Sequence, residues 1–134
     1  MASRRTVFRV AAAPIANRID SILSDTTLPT EIWLMAGLRR CSAEGIAATV
    51  VRRGERQSGT VILKINQFER GCRILTQGRD LDGELTWFPA LDGALIEESE
   101  ADAYLERSAR RDPDVWVVEI EHREGWHPFQ EGLY

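Results

Sequence analysis

Three groups of side chains in this sequence have the types and spacing to do chemistry. The first lies near the C-terminus, where Glu119, Glu121, His122, Glu124 and His127 gather carboxylates and imidazoles within nine residues. Carboxylate with imidazole is a donor set for a divalent metal, and Glu119 and Glu121 share one face of an extended chain. The spacing matches no metal-binding signature, and acids gather at the solvated end of a strand without any metal, so no metal ligand is assigned. The second group is Arg39, Arg40, Arg52, Arg53 and Arg56. These guanidinium forks would form a site for an anion, a nucleotide or RNA if the segment holding the first pair packs beside the turn holding the others. Arginine pairs at the ends of elements are also ordinary solvated faces, or ion-pair partners for acids such as Glu97, Glu98 and Glu100. The third pairs a nucleophile with a base, Cys41 or Cys72 with His122 or His127. Nothing in the chain order brings these together, and a cysteine inside an apolar segment ordinarily ends as a buried thiol.

Other catalytic signals are thin. Neither a GxxxxGK[ST] nor a GxGxxG phosphate-cradling loop occurs, and Asp80, Asp82 and Asp92 stand in Asp/Gly turns that turn chemistry explains. No catalytic residue and no cofactor is assigned. The tryptophans say more about binding. Trp33 and Trp116 suit a core, whereas Trp87 beside Phe88-Pro89, and Trp126 with Phe129 in the C-terminal tail, have the amphipathic rings that anchor protein interfaces. Ile15, Ile19 and Ile22, at helical spacing near the N-terminus, offer a second apolar stripe.

The elements that must position these residues fit one domain. The 134 residues are 43% hydrophobic, which is enough for a single core. A net charge of −4 and a pI near 5.2 disfavour general binding to nucleic acid or to an anionic membrane, although sixteen arginines accompany the single Lys64. Two cysteines without metal or disulfide spacing indicate a reducing, cytoplasmic setting. Ser3-Arg-Arg-Thr-Val-Phe8 faintly resembles a twin-arginine export signal, but the apolar run behind it, Val10 to Ile15, is too short for one, and no segment has the apolar length of a membrane helix.

Residues 1–29 read as an N-terminal extension with an amphipathic helix, and Leu28-Pro29 closes it. Thr30 and Glu31 can cap a helix over 31–44, with Gly45 as its stop. Ile32, Leu34, Ala36 and Leu38 also alternate, which leaves a strand as the competing reading. From Ile46 the period becomes two. Four short strands follow, around Ile46–Val50, Thr60–Asn66, Cys72–Gln77 and Glu84–Phe88, separated by glycine-bounded turns. In the second of these Val61, Leu63 and Ile65 point inward, and Lys64 and Asn66 outward. After a loop over 90–96, Ser99 and Asp102 open a helix to Arg111, with Ala101, Tyr104, Leu105 and Ser108 on its inner face. Asp114 to His122 is the strongest strand signal, with Trp116, Val118 and Ile120 on one face.

The predicted fold is α+β: an antiparallel sheet of about five strands with both helices packed on one face, in the order helix, four-strand meander, helix, strand. An N-terminal accessory helix precedes the domain at 30–127, and an aromatic tail at 128–134 follows it.

Three segments together resemble the bacterial family called domain of unknown function 1491. They are Ile-Trp-Leu-x-Ala-x-Leu-Arg-Arg at 32–40, Val-Val-Arg-Arg-Gly-Glu with Ser-Gly-Thr-Val-Ile-Leu-Lys at 50–64, and Glu-Ala-Asp-Ala-Tyr-Leu-Glu-Arg with Asp-Pro-Asp-Val-Trp-Val-Val-Glu-Ile-Glu at 100–121. The resemblance spans roughly 30–127 and implies a small soluble cytoplasmic protein without an assigned activity, cofactor or catalytic residue. The leading functional expectation is a non-catalytic interaction or adaptor module that meets a protein partner or a second copy of itself. Its interface would use Ile15, Ile19, Ile22, Trp87, Trp126 and Phe129. The alternatives are an anion, nucleotide or RNA binder acting through the five arginines, and a small hydrolase or metal enzyme.

Overall fold

The computed structural model describes residues 28–129. The helix expected around Ile15, Ile19 and Ile22 lies outside them, as do residues 130–134 of the tail. In chain order the elements are α1 (Thr30–Ala43), β1 (Ala48–Arg52), β2 (Val61–Asn66), β3 (Cys72–Arg79), β4 (Leu85–Pro89), α2 (Glu98–Arg111) and β5 (Trp116–Glu121), with 3-10 turns at Phe68–Arg70 and Leu91–Gly93. This is the expected α+β arrangement of five strands and two helices, and the ambiguous segment after Pro29 is helical.

The sheet order is β1-β5-β2-β3-β4. β2, β3 and β4 form an antiparallel meander, as the short turns between them require. β1 does not join it through a hairpin, because β5 inserts between β1 and β2, antiparallel to the first and parallel to the second. The cause lies on the second face of β5. Val115 and Val117 are as dry as Trp116, Val118 and Ile120, and a strand buried on both faces belongs at the centre of a sheet. β1 alternates between half-buried and exposed residues and takes an edge.

The helices were expected on one face, but they cover opposite faces. Leu34 of α1 packs with Leu63, Ile65, Trp116, Val118 and Phe129 on one side. Ala101 and Leu105 of α2 pack with Ile62, Ile74, Val115 and Val117 on the other. Because β2 and β5 are apolar on both faces, each face needs its own cover.

The cap chemistry also differs from the expectation. Thr30 does not cap α1; its hydroxyl donates to the Gly59 carbonyl at 3.0 Å, while the Thr30 and Glu31 amides donate to the carbonyls of Gln57 and Arg56 at 3.0 Å each. The first turn of α1 is therefore satisfied by the loop after β1, which ties the two together. Ser99 lies inside α2, which starts at Glu98 without a side-chain cap. Its Glu98 and Glu100 at the first turn and Arg110 and Arg111 at the last still complement the helix dipole.

Candidate functional site

The five arginines do not converge. Arg53 and Arg56 stand at the start of α1, where their guanidinium groups donate to the two carboxylate oxygens of Glu31 at 2.5 and 2.8 Å. The hydrogen bond from Arg56, with help from Arg53, holds the Glu31 carboxyl below its usual range. Arg39 and Arg40 lie near the other end of the helix, and fourteen residues at about 1.5 Å rise put the two ends about 20 Å apart. Arg40 pairs with Glu44 at 3.4 Å and lies over the Trp126 ring at 5.5 Å. Arg52 donates to the carbonyls of Pro113 and Val115 at 2.9 and 3.0 Å, which stitches β1 to the entry of β5. Of the five, only Arg39 is exposed and has no side-chain partner among the described residues.

The imidazoles are equally committed. His122 Nδ1 accepts the amides of Glu124 and Trp126 at 3.2 Å each and so closes the turn after β5. His127 Nδ1 accepts the Phe129 amide at 3.2 Å. An acceptor Nδ1 places the proton on Nε2 in the neutral ring, and burial pushes the pKa of His127 down to about 4. Glu119 accepts from Asn66 at 3.0 Å. Among the described residues, no three of His, Cys, Asp and Glu form a cation-holding group. Cys41 and Cys72 are both buried, on opposite faces of the sheet, and desolvation pushes both thiols up.

The aromatic tail docks on its own domain. Phe129 is fully buried. Its ring meets Trp33 edge-on with centroids 5.3 Å apart, and a β-carbon added at Gly37 would lie 2.2 Å from its Cε1 atom. Trp87 donates through Nε1 to the Phe129 carbonyl at 3.2 Å, and its ring packs against His127. Trp126 is half-buried between His122 and Arg40. Phe129 is thus a core residue, and Trp87 and Trp126 hold the tail in place.

Sequence reasoning missed Lys64. Expected to face outward, it is 3% exposed beneath α2, with its ammonium 2.8 Å from Glu98, 2.8 Å from Asp102 and 3.7 Å from Glu119. Burial alone would lower its pKa, but the hydrogen bonds it donates to Asp102 and Glu98 and the charge of Glu119 outweigh that and raise it. A lysine held protonated cannot act as a nucleophile. It works as a charge lock between α2 and the sheet, at the base of a cleft of about 550 Å³ that Val51, Leu105 and Val117 also line. Two signals pointed to it. It is the sole lysine in an arginine-rich chain, set in the central apolar strand, and Glu98 and Asp102 stand four apart on one face of α2.

The opposite edge of the sheet carries an apolar surface, formed by Phe88 of the fourth expected strand and by Leu91 and Leu95 of the segment expected to be a loop. Phe88, Leu91 and Leu95 are 43%, 39% and 41% exposed along β4 and the turn that follows it. That turn holds Leu91, Asp92 and Gly93 in the left-handed region, at φ 55°, 59° and 73°. A bulky residue such as Leu91 adopts this conformation rarely, at a cost on the order of 1–3 kcal/mol.

The pattern of DUF1491, a family of proteins of unknown function, matches residues 28–130. A crystal structure of a DUF1491 family protein from Caulobacter crescentus CB15 is 40% identical, with a TM-score of 0.69 over 77% of this chain and 95% of that one. An NMR structure of a family protein from the same organism is 41% identical, with a TM-score of 0.66 over 76% of this chain and 92% of that one. The solution structure of an A. tumefaciens protein is 28% identical, with a TM-score of 0.58 over 69% and 84%. No curated protein matches the chain.

Proposed function

This chain belongs to the DUF1491 family of proteins of unknown function, and on the geometry above we propose that it is a non-catalytic protein-interaction module of the cytoplasm. The observation that carries the reading is the row of exposed Phe88, Leu91 and Leu95 at the β4 edge, held outward by a left-handed turn. Single exposed apolar residues are ordinary, but three along one edge on a rigid scaffold are the kind of patch that marks an interaction site.

Side chains, not strand addition, make the contact. The Ala90 amide donates inward to the Ile74 carbonyl at 2.9 Å, so the missing N–H of Pro89 falls on the outer side of the edge, where an added strand would need it. The partner is a protein with a complementary apolar surface, and Asp92 beside the patch favours basic groups at its rim. No helix among the described residues is long and apolar enough to cross a membrane, and a partner in solution fits this surface. The Ile15, Ile19 and Ile22 stripe is a second contact region in this reading.

The test is native mass spectrometry of the untagged chain from the cells that make it, as wild type and as Phe88→Glu/Leu95→Glu. The wild type is expected to carry a stoichiometric added protein mass, or a second copy of itself, that the double variant loses while keeping its thermal midpoint. A bare wild-type monomer, or a variant that keeps its partner, would refute the reading.

A further inference from the structure

Ser108 Oγ is buried on the inner face of α2 and has no hydrogen-bond partner among the described residues. A serine within a helix ordinarily donates to the carbonyl four residues back, here that of Tyr104, and this one does not. An orphaned buried hydroxyl costs on the order of 1–3 kcal/mol. Ser108 instead lines a pocket of about 200 Å³ at the end of the sheet, between α2 and the starts of β2 and β5.

The lining holds one cation and one carboxylate, and they differ in how they are engaged. Arg111, one turn beyond Ser108, is exposed and has no ion-pair partner among the described residues. The Gln77 carboxamide oxygen already accepts the Val61 amide at 3.0 Å, which leaves its NH2 group to donate. The one carboxylate in the lining is occupied: Asp112 accepts the Asp114 amide at 3.0 Å and faces the Thr60 hydroxyl at 3.4 Å. What the pocket offers is therefore a guanidinium, an amide NH2 and the hydroxyls of Ser108 and Tyr104, above an apolar floor of Ile62 and Val115.

We propose that this pocket binds a short-chain carboxylate, held by the Arg111 guanidinium and the Ser108 hydroxyl with its carbon chain on Ile62 and Val115. The planar fork of arginine matches a carboxylate. The volume is that of about seven water molecules, enough for a few carbons beyond the carboxylate. Asp112 beside the site favours a monoanion over a doubly charged phosphate. The pocket adjoins the β4 surface, since Thr76 in its lining pairs with Phe88, but the inference does not rest on the reading of that surface.

The test is an NMR titration of the full chain, following backbone amides, with propionate, lactate and inorganic phosphate as separate probes. Propionate or lactate should give saturable shifts centred on Thr60, Thr76, Ser108 and Arg111 in the millimolar range. Arg111→Gln should weaken that binding roughly tenfold or more, and Ser108→Ala severalfold. Both variants should stay folded, since the first alters an exposed side chain and the second deletes an unpaired hydroxyl. The proposal is overturned if neither carboxylate gives saturable shifts, if Arg111→Gln binds as the wild type does, or if phosphate binds and the carboxylates do not.

Discussion

Acid should destabilise this protein through one residue well before its carboxylates protonate. His127 is 4% exposed, its Nδ1 must stay unprotonated to accept the Phe129 amide, and burial lowers its pKa from 6.5 to about 4. Above pH 6.5 both folded and unfolded chains carry it neutral, and it adds no pH dependence. Between pH 6.5 and 4 the unfolded chain takes up a proton that the folded chain refuses, so stability falls as pH falls, by up to about 1.4 kcal/mol per pH unit. Over the full window the loss is about 3 kcal/mol, a large part of the stability of a domain of this size. Urea unfolding followed by tryptophan fluorescence, at half-unit steps from pH 7.5 to 4.5, measures it. The upper part of that range keeps clear of Glu31, Glu55 and Glu69, whose lowered pKa values make them lose stabilisation only near and below their ordinary 4.5. His127→Asn is the control, because its side-chain oxygen can still accept the Phe129 amide and cannot titrate. It loses the ring contact with Trp87, so the decisive quantity is the slope and not the intercept. Equal slopes for wild type and His127→Asn between pH 6.5 and 5 would refute the reasoning.

Two further perturbations test the two faces of the sheet. Gly37→Ala puts a methyl group against the Phe129 ring and should cost about 1–3 kcal/mol by overpacking, whereas Phe129→Ala should cost about 3–5 kcal/mol by emptying the same site; thermal unfolding measures both. On the other face the charge lock should respond asymmetrically. Glu98→Gln/Asp102→Asn leaves the buried Lys64 ammonium without its two closest charged partners and should destabilise by about 3 kcal/mol or more, while Lys64→Met returns two half-exposed carboxylates to water and should be nearly neutral. Equal losses in the two variants would show that the ion pairs, and not the burial of the lysine, set the balance.

Much of the fold was legible because it depends on local pattern. The period-two runs gave β2, β3 and β4 to within a residue or two, and the acid-to-arginine gradient along 98–111 marked α2. What escaped was set by contacts distant in sequence. The alternation of β1 favours a hairpin with its chain neighbour until β5, apolar on both faces, takes the central place. The Trp116, Val118 and Ile120 face is plain in the sequence, but Val115 and Val117 share the alternate positions with Glu119 and Glu121, a pattern that suggests a side emerging into water. That one misjudged face led to the misplaced helix, since a sheet with one dry face needs only one layer of helices.

The same logic explains which site residues could be read. Arginines and histidines stand out by type, but type does not reveal partners, and here Glu31, Glu44 and the backbone carbonyls and amides take up nearly all of them. Lys64 and Ser108 are the opposite case, polar side chains in positions that pattern assigns to solvent or to packing. Lys64 is resolved inside the protein by acids from α2. Ser108 is not, although it occupies the inner face predicted for it. A buried polar group that the fold itself does not satisfy calls for a separate cause; among the described residues Ser108 Oγ is such a group, as are Gln67 Oε1 and Arg73 Nε, and the exposed apolar turn at Leu91 carries a backbone strain of its own. Function is better sought at the Ser108 pocket and this turn than among the charged residues that dominate the composition.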